Sequence, residues 1–197
     1  VKVASARLYA AAADRSQFPR EGRAEVAFLG RSNVGKSSLL NSLLGVPGLA
    51  RVSRTPGRTQ QVHFYLVNEA VFFVDLPGYG FARAPARVRE RFSGLIEDYL
   101  SRRDGPALAV HLVDARHDPM PADVAVGRWL AARGVAAQVV LTKADKVPRG
   151  EWGRARERAR QILAAENVII HSSRTGEGRK NLWQIIDHRI AWARNET

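Results

Sequence analysis

The chain has 197 residues, 45% of them hydrophobic, enough for one core of ordinary size and short for two. It has no cysteine, which excludes disulfides, cysteine-ligated zinc and thiol catalysis. A formal net charge of +12 is self-repelling unless an anionic partner offsets it, so either nucleic acid or an evenly basic surface is expected. No run of 18 apolar residues and no signal-peptide pattern is present, and a cytoplasmic chain with no membrane partner is expected.

In chain order, residues 1–23 read as an N-terminal extension packed on the domain, with an Ala-rich middle and a Phe18-Pro19-Arg20-Glu21-Gly22 turn. Residues 24–197 read as a single domain. The first strand is expected over 24–29 and the first helix over 36–44, closed by Gly45 and Pro47-Gly48. Residues 49–60 form a loop with three arginines, no acid and two helix breakers. Residues 61–68 and 71–75 form a hairpin turned at Asn68-Glu69. Apolar residues at helical spacing predict a surface helix over 85–103. Strands at 107–113, 135–141 and 168–170 then alternate with helices at 121–133, 151–165 and 181–194. This is an α/β pattern of six strands and five helices, with a mostly parallel sheet covered on both faces and one antiparallel strand.

In such a sheet, ligands bind beyond the carboxyl ends of the strands, and every unusual loop falls there. Gly30-Arg31-Ser32-Asn33-Val34-Gly35-Lys36-Ser37 reads G-x-x-x-x-G-K-S between a strand and a helix, a pattern whose backbone N–H groups wrap a di- or triphosphate. Gly30 and Gly35 are expected to let the backbone approach phosphate oxygens. Lys36 is expected to supply charge to the β- and γ-phosphates, and Ser37 to ligate Mg²⁺. Only five of the 31 cationic residues are lysines, so a lysine at 36 is required rather than incidental. Asp75 ends an apolar strand, where a carboxylate needs a cationic partner. It is a second Mg²⁺ candidate, Thr59 is a third, and Gly78 offers an N–H to a γ-phosphate. Thr142-Lys143-Ala144-Asp145 selects guanine, because a carboxylate accepts from the ring N–H and the exocyclic amine together, a pair adenine lacks. Lys143 would lay its stem along the base, and the Ser173 N–H would meet the guanine carbonyl.

These motifs, in this order, closely resemble the EngB (YihA/YsxC) ribosome-biogenesis GTPases of bacteria, within the translation-factor-related P-loop GTPases. The resemblance runs from about Phe18 to the C-terminus. It implies a three-layer P-loop G domain that hydrolyses GTP to GDP with Mg²⁺. It also implies a role in assembling the large ribosomal subunit through ribosomal RNA, and a need for normal cell division and septation. The nucleotide contacts it implies comprise Arg31, Ser32, Asn33, Val34 and Ser38, then Gly57, Arg58, Thr59, Gln60 and Gln61. Leu76 and Pro77 beside Gly78, Ala144, and His171 and Ser172 beside Ser173 complete the set. Lys36, Thr59 and Gly78 would carry the catalytic roles. Thr142 departs from the wider GTPase pattern, where Asn is usual. Tyr79 stands where many GTPases place a water-orienting glutamine, so slow intrinsic turnover is expected. Asn33 suggests K⁺ as a supplementary charge. A monomer is expected, and the five histidines read as structural. The alternatives are an RNA-binding P-loop protein with little turnover, and a P-loop ATPase or kinase.

Overall fold

In a computed structural model, residues 3–50, 61–80, 94–102 and 105–195 are described, with backbone alone for 192–195. The loop 51–60 and the first part of the helix expected over 85–103 lie outside them. The strands are β1 (Ala6–Ala12), β2 (Ala24–Gly30), β3 (Val62–Val67), β4 (Val71–Asp75), β5 (Leu108–Asp114), β6 (Ala137–Thr142) and β7 (Val168–Ile170). The helices are α1 (Lys36–Leu44), α2 (94–100), α3 (Pro121–Ala132), α4 (Trp152–Ile162) and α5 (Arg179–Asn195).

The strands form one sheet in the order β1-β3-β4-β2-β5-β6-β7, and β3 runs against the other six. The expected six strands are thus seven among the described residues. The added strand, β1, comes from the stretch read as an extension, and it pairs antiparallel with β3 from Ala6↔Val67 to Ala12↔Val62. Its register shifts between Leu8 and Ala10, and most of its residues are exposed, as suits an edge strand. That bulge and the small alanines remove the alternation by which strands are recognised. The β3–β4 turn has Asn68 and Glu69 both at φ 51°, closed by the Ala70 N–H donating to Val67 O at 3.0 Å.

Alternation along the parallel strands sends side chains to two apolar layers. Val26 and Phe28 of β2 face one side with Leu39, Leu40 and Leu43 of α1 and Leu182, Trp183 and Ile186 of α5. Ala27 and Leu29 face the other, with Leu95 and Tyr99 of α2 and Leu130 of α3. Val139 and Leu141 of β6 pack against Ala155 and Ala159 of α4. Anchoring on both faces fixes the strand ends, and with them the loops at one rim.

One buried ionic group ties α2 to the start of β2. Glu25 accepts from the Tyr99 hydroxyl at 2.7 Å and pairs with Arg102, whose guanidinium lies 4.5 Å from the Tyr99 ring centroid. Glu25→Ala strands a largely covered cation and a buried hydroxyl, and is expected to cost about 3 kcal/mol in urea unfolding. A loss under about 1 kcal/mol would show that this group does not hold α2 in place.

Candidate functional site

The loop from β2 to α1 is shaped by two glycines with different tasks. At Gly30 a Cβ would come within 2.8 Å of Val34 Cγ1 and 2.9 Å of Leu112 O, so the loop root packs directly on β5. Close packing, rather than approach to a ligand, therefore demands glycine there. Gly35 sits at φ 108° as the N-cap of α1, a conformation other residues rarely adopt, and Asn33 is left-handed at φ 62°. The first-turn amides of Lys36, Ser37 and Ser38 have no carbonyl one turn back, and together with the helix dipole they offer a donor array to an anion.

Lys36 forms an ion pair with Asp75, both side chains being almost wholly buried. This is the cationic partner that an aspartate ending an apolar strand requires. After Asp75 the chain turns inward. Leu76 donates its N–H to Phe28 O at 3.1 Å and buries its side chain in the core, so it can offer a ligand only backbone. Pro77 is buried as well. Gly78 lies against the phosphate-type loop, where a Cβ would stand 3.1 Å from Ser32 N. Tyr79 bridges to Arg31, with the Ser32 N–H donating to Tyr79 O at 3.0 Å and the Tyr79 N–H to Gly30 O at 3.2 Å.

The ends of β6 and β7 close onto the same loop. The buried Thr142 hydroxyl donates to Val34 O at 2.6 Å, so the residue that departs from the common Asn makes a cross-link to the loop itself. Lys143, left-handed at φ 58°, donates from Nζ to Asn33 O at 2.7 Å and pairs with Asp114 at 2.8 Å. Burial pulls the Asp114 carboxyl upward, but hydrogen bonds from Arg116 and Lys143 outweigh it and hold it well below its usual range. Asp145 accepts from the Ser172 hydroxyl at 2.8 Å, which lowers its own pKa and sets its orientation. The Ala144 N–H donates to His171 O at 3.1 Å, joining the two loops through backbone. Between them and α1 lies a cavity of about 480 Å³ lined by Gly35, Ser38, Asn41, Ser42, Pro47, Thr142, Lys143, Asp145, Ser173 and Arg174.

The structure thus gathers residues 30–38, 75–78, 142–145 and 171–173 at one rim of the sheet. Gln61 stands there at the foot of β3, and Gly57, Arg58, Thr59 and Gln60 lie outside the described residues. His171 faces inward, fully buried, and reaches the site only through its carbonyl. The chemistry of the set suits Mg²⁺. Ser37 at the helix start and the buried Asp75 are hard oxygen donors, and this ion is commonly held by one or two protein oxygens, substrate phosphates and water. Three contributors escaped the sequence reading. Asp114 carries the same signal as Asp75, an acid ending an apolar strand, and steadies Lys143. Asn41 pins Ala50 in both directions, at 2.9 and 2.7 Å. Asp123 lies in the first turn of the helix expected over 121–133, where an acid gives no sign in sequence that it is buried.

A phosphate-binding-type loop after the first parallel strand, tied to a T-K-x-D loop two strands away, is the arrangement of the P-loop GTPases. A family model described as 50S ribosome-binding GTPase matches residues 25–143. Probable GTP-binding protein EngB of Geobacillus thermodenitrificans is 41% identical over 186 residues, 93% of this chain and 95% of the relative. EngB of Bacillus subtilis is 39% identical over 193 residues, 96% and 99% of the two chains. The chain belongs to the EngB family of GTP-binding proteins, and it is a GTPase. Among solved structures, a probable EngB covers 85% of this chain and 99% of its own length, at TM-score 0.74 and 24% identity. Era in complex with MgGDPNP and nucleotides 1506–1542 of 16S ribosomal RNA covers 83% of this chain and 55% of its own length, at TM-score 0.64 and 19% identity. At those identities both show the shared fold.

Two histidines near the site make the fold acid-sensitive. Burial lowers the His111 pKa to about 4, only partly opposed by Asp123, and burial with the nearby Arg179 lowers that of His171 to about 4. Neither His171 ring nitrogen meets a hydrogen-bond partner among the described residues. Both rings are neutral when folded, whereas in the unfolded chain they take up protons near pH 6.5. Stability present above pH 6.5 is therefore lost as pH falls toward 4, by about 2 kcal/mol per histidine between pH 7 and 5. Urea unfolding at the two pH values should show this drop, and His171→Leu should remove about half of it. An equal drop in the variant would contradict the assignment.

Proposed function

We propose that this chain binds guanine nucleotide at the rim of the sheet, and uses slow Mg²⁺-dependent GTP hydrolysis as a switch in assembling the large ribosomal subunit. In this reading it acts as a cytoplasmic monomer that is also needed for normal cell division and septation. The observation that carries the nucleotide reading is the cross-link of the T-K-A-D loop to the phosphate-type loop through Thr142 and Lys143. It supports the reading by holding Asp145, which would select guanine, at a fixed span from the loop that would cradle the phosphates.

In the proposed complex, the amides of 33–38 and the Lys36 ammonium bind the phosphates, and Lys36 exchanges Asp75 for them. Ser37 and Asp75, with Thr59, would hold Mg²⁺, which when bound neutralises charge that develops on the phosphate oxygens. Gly78 gives its N–H to the γ-phosphate, and Arg31, Ser32, Val34 and Ser38 line the cradle. Asp145 accepts from guanine, the Lys143 stem lies along the base, and the Ser173 N–H meets the carbonyl. Asn33, exposed and left-handed, would contribute a K⁺ site beside the phosphates.

Support for a ribosomal RNA partner comes from charge and kinship. The solvent face of α4 carries exposed Arg154, Arg156, Arg158 and Arg160 against one acid, Glu157. A face of that kind suits phosphodiester contacts, which weaken steeply with salt. The matching family is described by binding to the 50S ribosome, and a structural neighbour is seen with ribosomal RNA.

Competition for fluorescent GDP tests the nucleotide reading. GTP should displace the probe and ATP should not, Lys36→Ala should weaken GTP binding at least a hundredfold, and hydrolysis should run faster in KCl than in NaCl at equal ionic strength. Displacement by ATP, or unchanged binding by Lys36→Ala, would overturn the site. Equal rates in the two salts would remove K⁺ alone.

A further inference from the structure

Tyr79 follows Gly78 at the place from which a GTPase commonly directs the attacking water, yet its side chain points into the fold. Its hydroxyl lies 2.7 Å from His111 Nε2 in the middle of β5 and 2.8 Å from Asp123 Oδ1 in the first turn of α3. Both partners are buried, at 1% and 2% exposure. Asp123 is fixed in turn, because its Oδ2 accepts the Met120 N–H at 2.8 Å at the start of α3. A hydroxyl has one proton and a carboxylate can only accept, so the Tyr79 proton goes to Asp123 and His111 donates from Nε2. Every proton in the chain His111 to Tyr79 to Asp123 is thereby placed. Burial and the adjacent Asp123 push the Tyr79 hydroxyl far above its ordinary pKa, so it remains a neutral donor.

We propose that Tyr79 is a positioning residue that holds the Gly78 N–H at the depth where it distinguishes GTP from GDP. The backbone of Tyr79 is clasped by Gly30 and Ser32, and its hydroxyl is clasped by β5 and α3. One residue therefore connects the phosphate-type loop to the neighbouring strand β5 and to α3, which packs on the sheet face opposite α1. Gly78 lies so near the loop that a Cβ on it would stand 3.1 Å from Ser32 N, and as the direct chain neighbour of Tyr79 its position against the loop follows that of Tyr79. A buried network of this sort is stiff only while all of its members are satisfied. Removing one hydroxyl loosens the attachment and leaves the fold's apolar contacts in place. The tether itself contributes no group to the reacting atoms, and it acts through Gly78.

This inference rests on the reading that Gly78 meets the γ-phosphate, and the test separates the two. In the full chain, Tyr79→Phe should bind fluorescent GDP within twofold of the unchanged chain. Its affinity for a non-hydrolysable GTP analogue should fall at least fivefold, and single-turnover hydrolysis should slow at least tenfold. Asp123→Asn, which keeps the shape and alters the acceptor, should show the same split between GTP and GDP. Equal losses for both nucleotides would indicate a merely structural tyrosine and overturn the proposal, as would an unchanged ratio in both variants. Gly78→Ala serves as the reference. If it collapses the GTP-to-GDP ratio while Tyr79→Phe does not, the tether alone is wrong. If it leaves the ratio unchanged, the γ-phosphate reading falls and the tether falls with it.

Discussion

A carboxylate at the end of an apolar strand cannot be buried alone, because the effective cost of desolvating it reaches several kcal/mol. Asp75 meets this constraint with Lys36, which reaches it from the first residue of α1. The pair therefore links the end of β4 to the loop after β2 before any ligand arrives. It also keeps the lysine oriented inside a loop of amide donors. In the proposed function, a polyphosphate offers Lys36 a stronger anion and a metal ion offers Asp75 a replacement cation, so neither group is left buried without a partner.

The remaining connections at the rim are of a different kind. Thr142 and Lys143 bind backbone carbonyls of the loop, Asp114 steadies Lys143, and the Ala144 amide is held by His171 O. These bonds use loop and strand-end carbonyls as acceptors, and carbonyls are not groups that bind phosphate, so a nucleotide does not compete for them. Apolar packing on both faces of the sheet supplies the rigidity behind them, since α1 and α5 hold one face while α2, α3 and α4 hold the other. The site thus combines one exchangeable ion pair with several fixed tethers. In the proposed function, that combination would let ligand binding redirect a lysine while the strand ends stay in register.

Much of this was legible in the residues. The loop glycines, the aspartate ending β4 and the alternation of β-rich and helical periods point to a parallel sheet with loops meeting at one rim. The edge strand β1 was not legible, because alanines, a bulge and exposure on both faces leave no two-residue pattern. Gly30 stands out in sequence as a loop glycine, but the close approach to Leu112 O that demands it depends on a strand about eighty residues away in sequence. Thr142 reads as a departure in sequence, and only the fold shows its hydroxyl against Val34 O. The Tyr79, His111 and Asp123 group could not be read, because its members come from a loop, a buried strand and a helix with no local motif.

A crystal structure with Mg²⁺ and GDP bound tests the exchange at Asp75 most directly. Lys36 Nζ should leave Asp75 for a phosphate oxygen, while the Thr142 bond to Val34 O and the Lys143 bond to Asn33 O persist and Asp145 faces the guanine edge. A lysine still paired with Asp75 in the nucleotide complex, or a nucleotide seated away from residues 30–38, would contradict it.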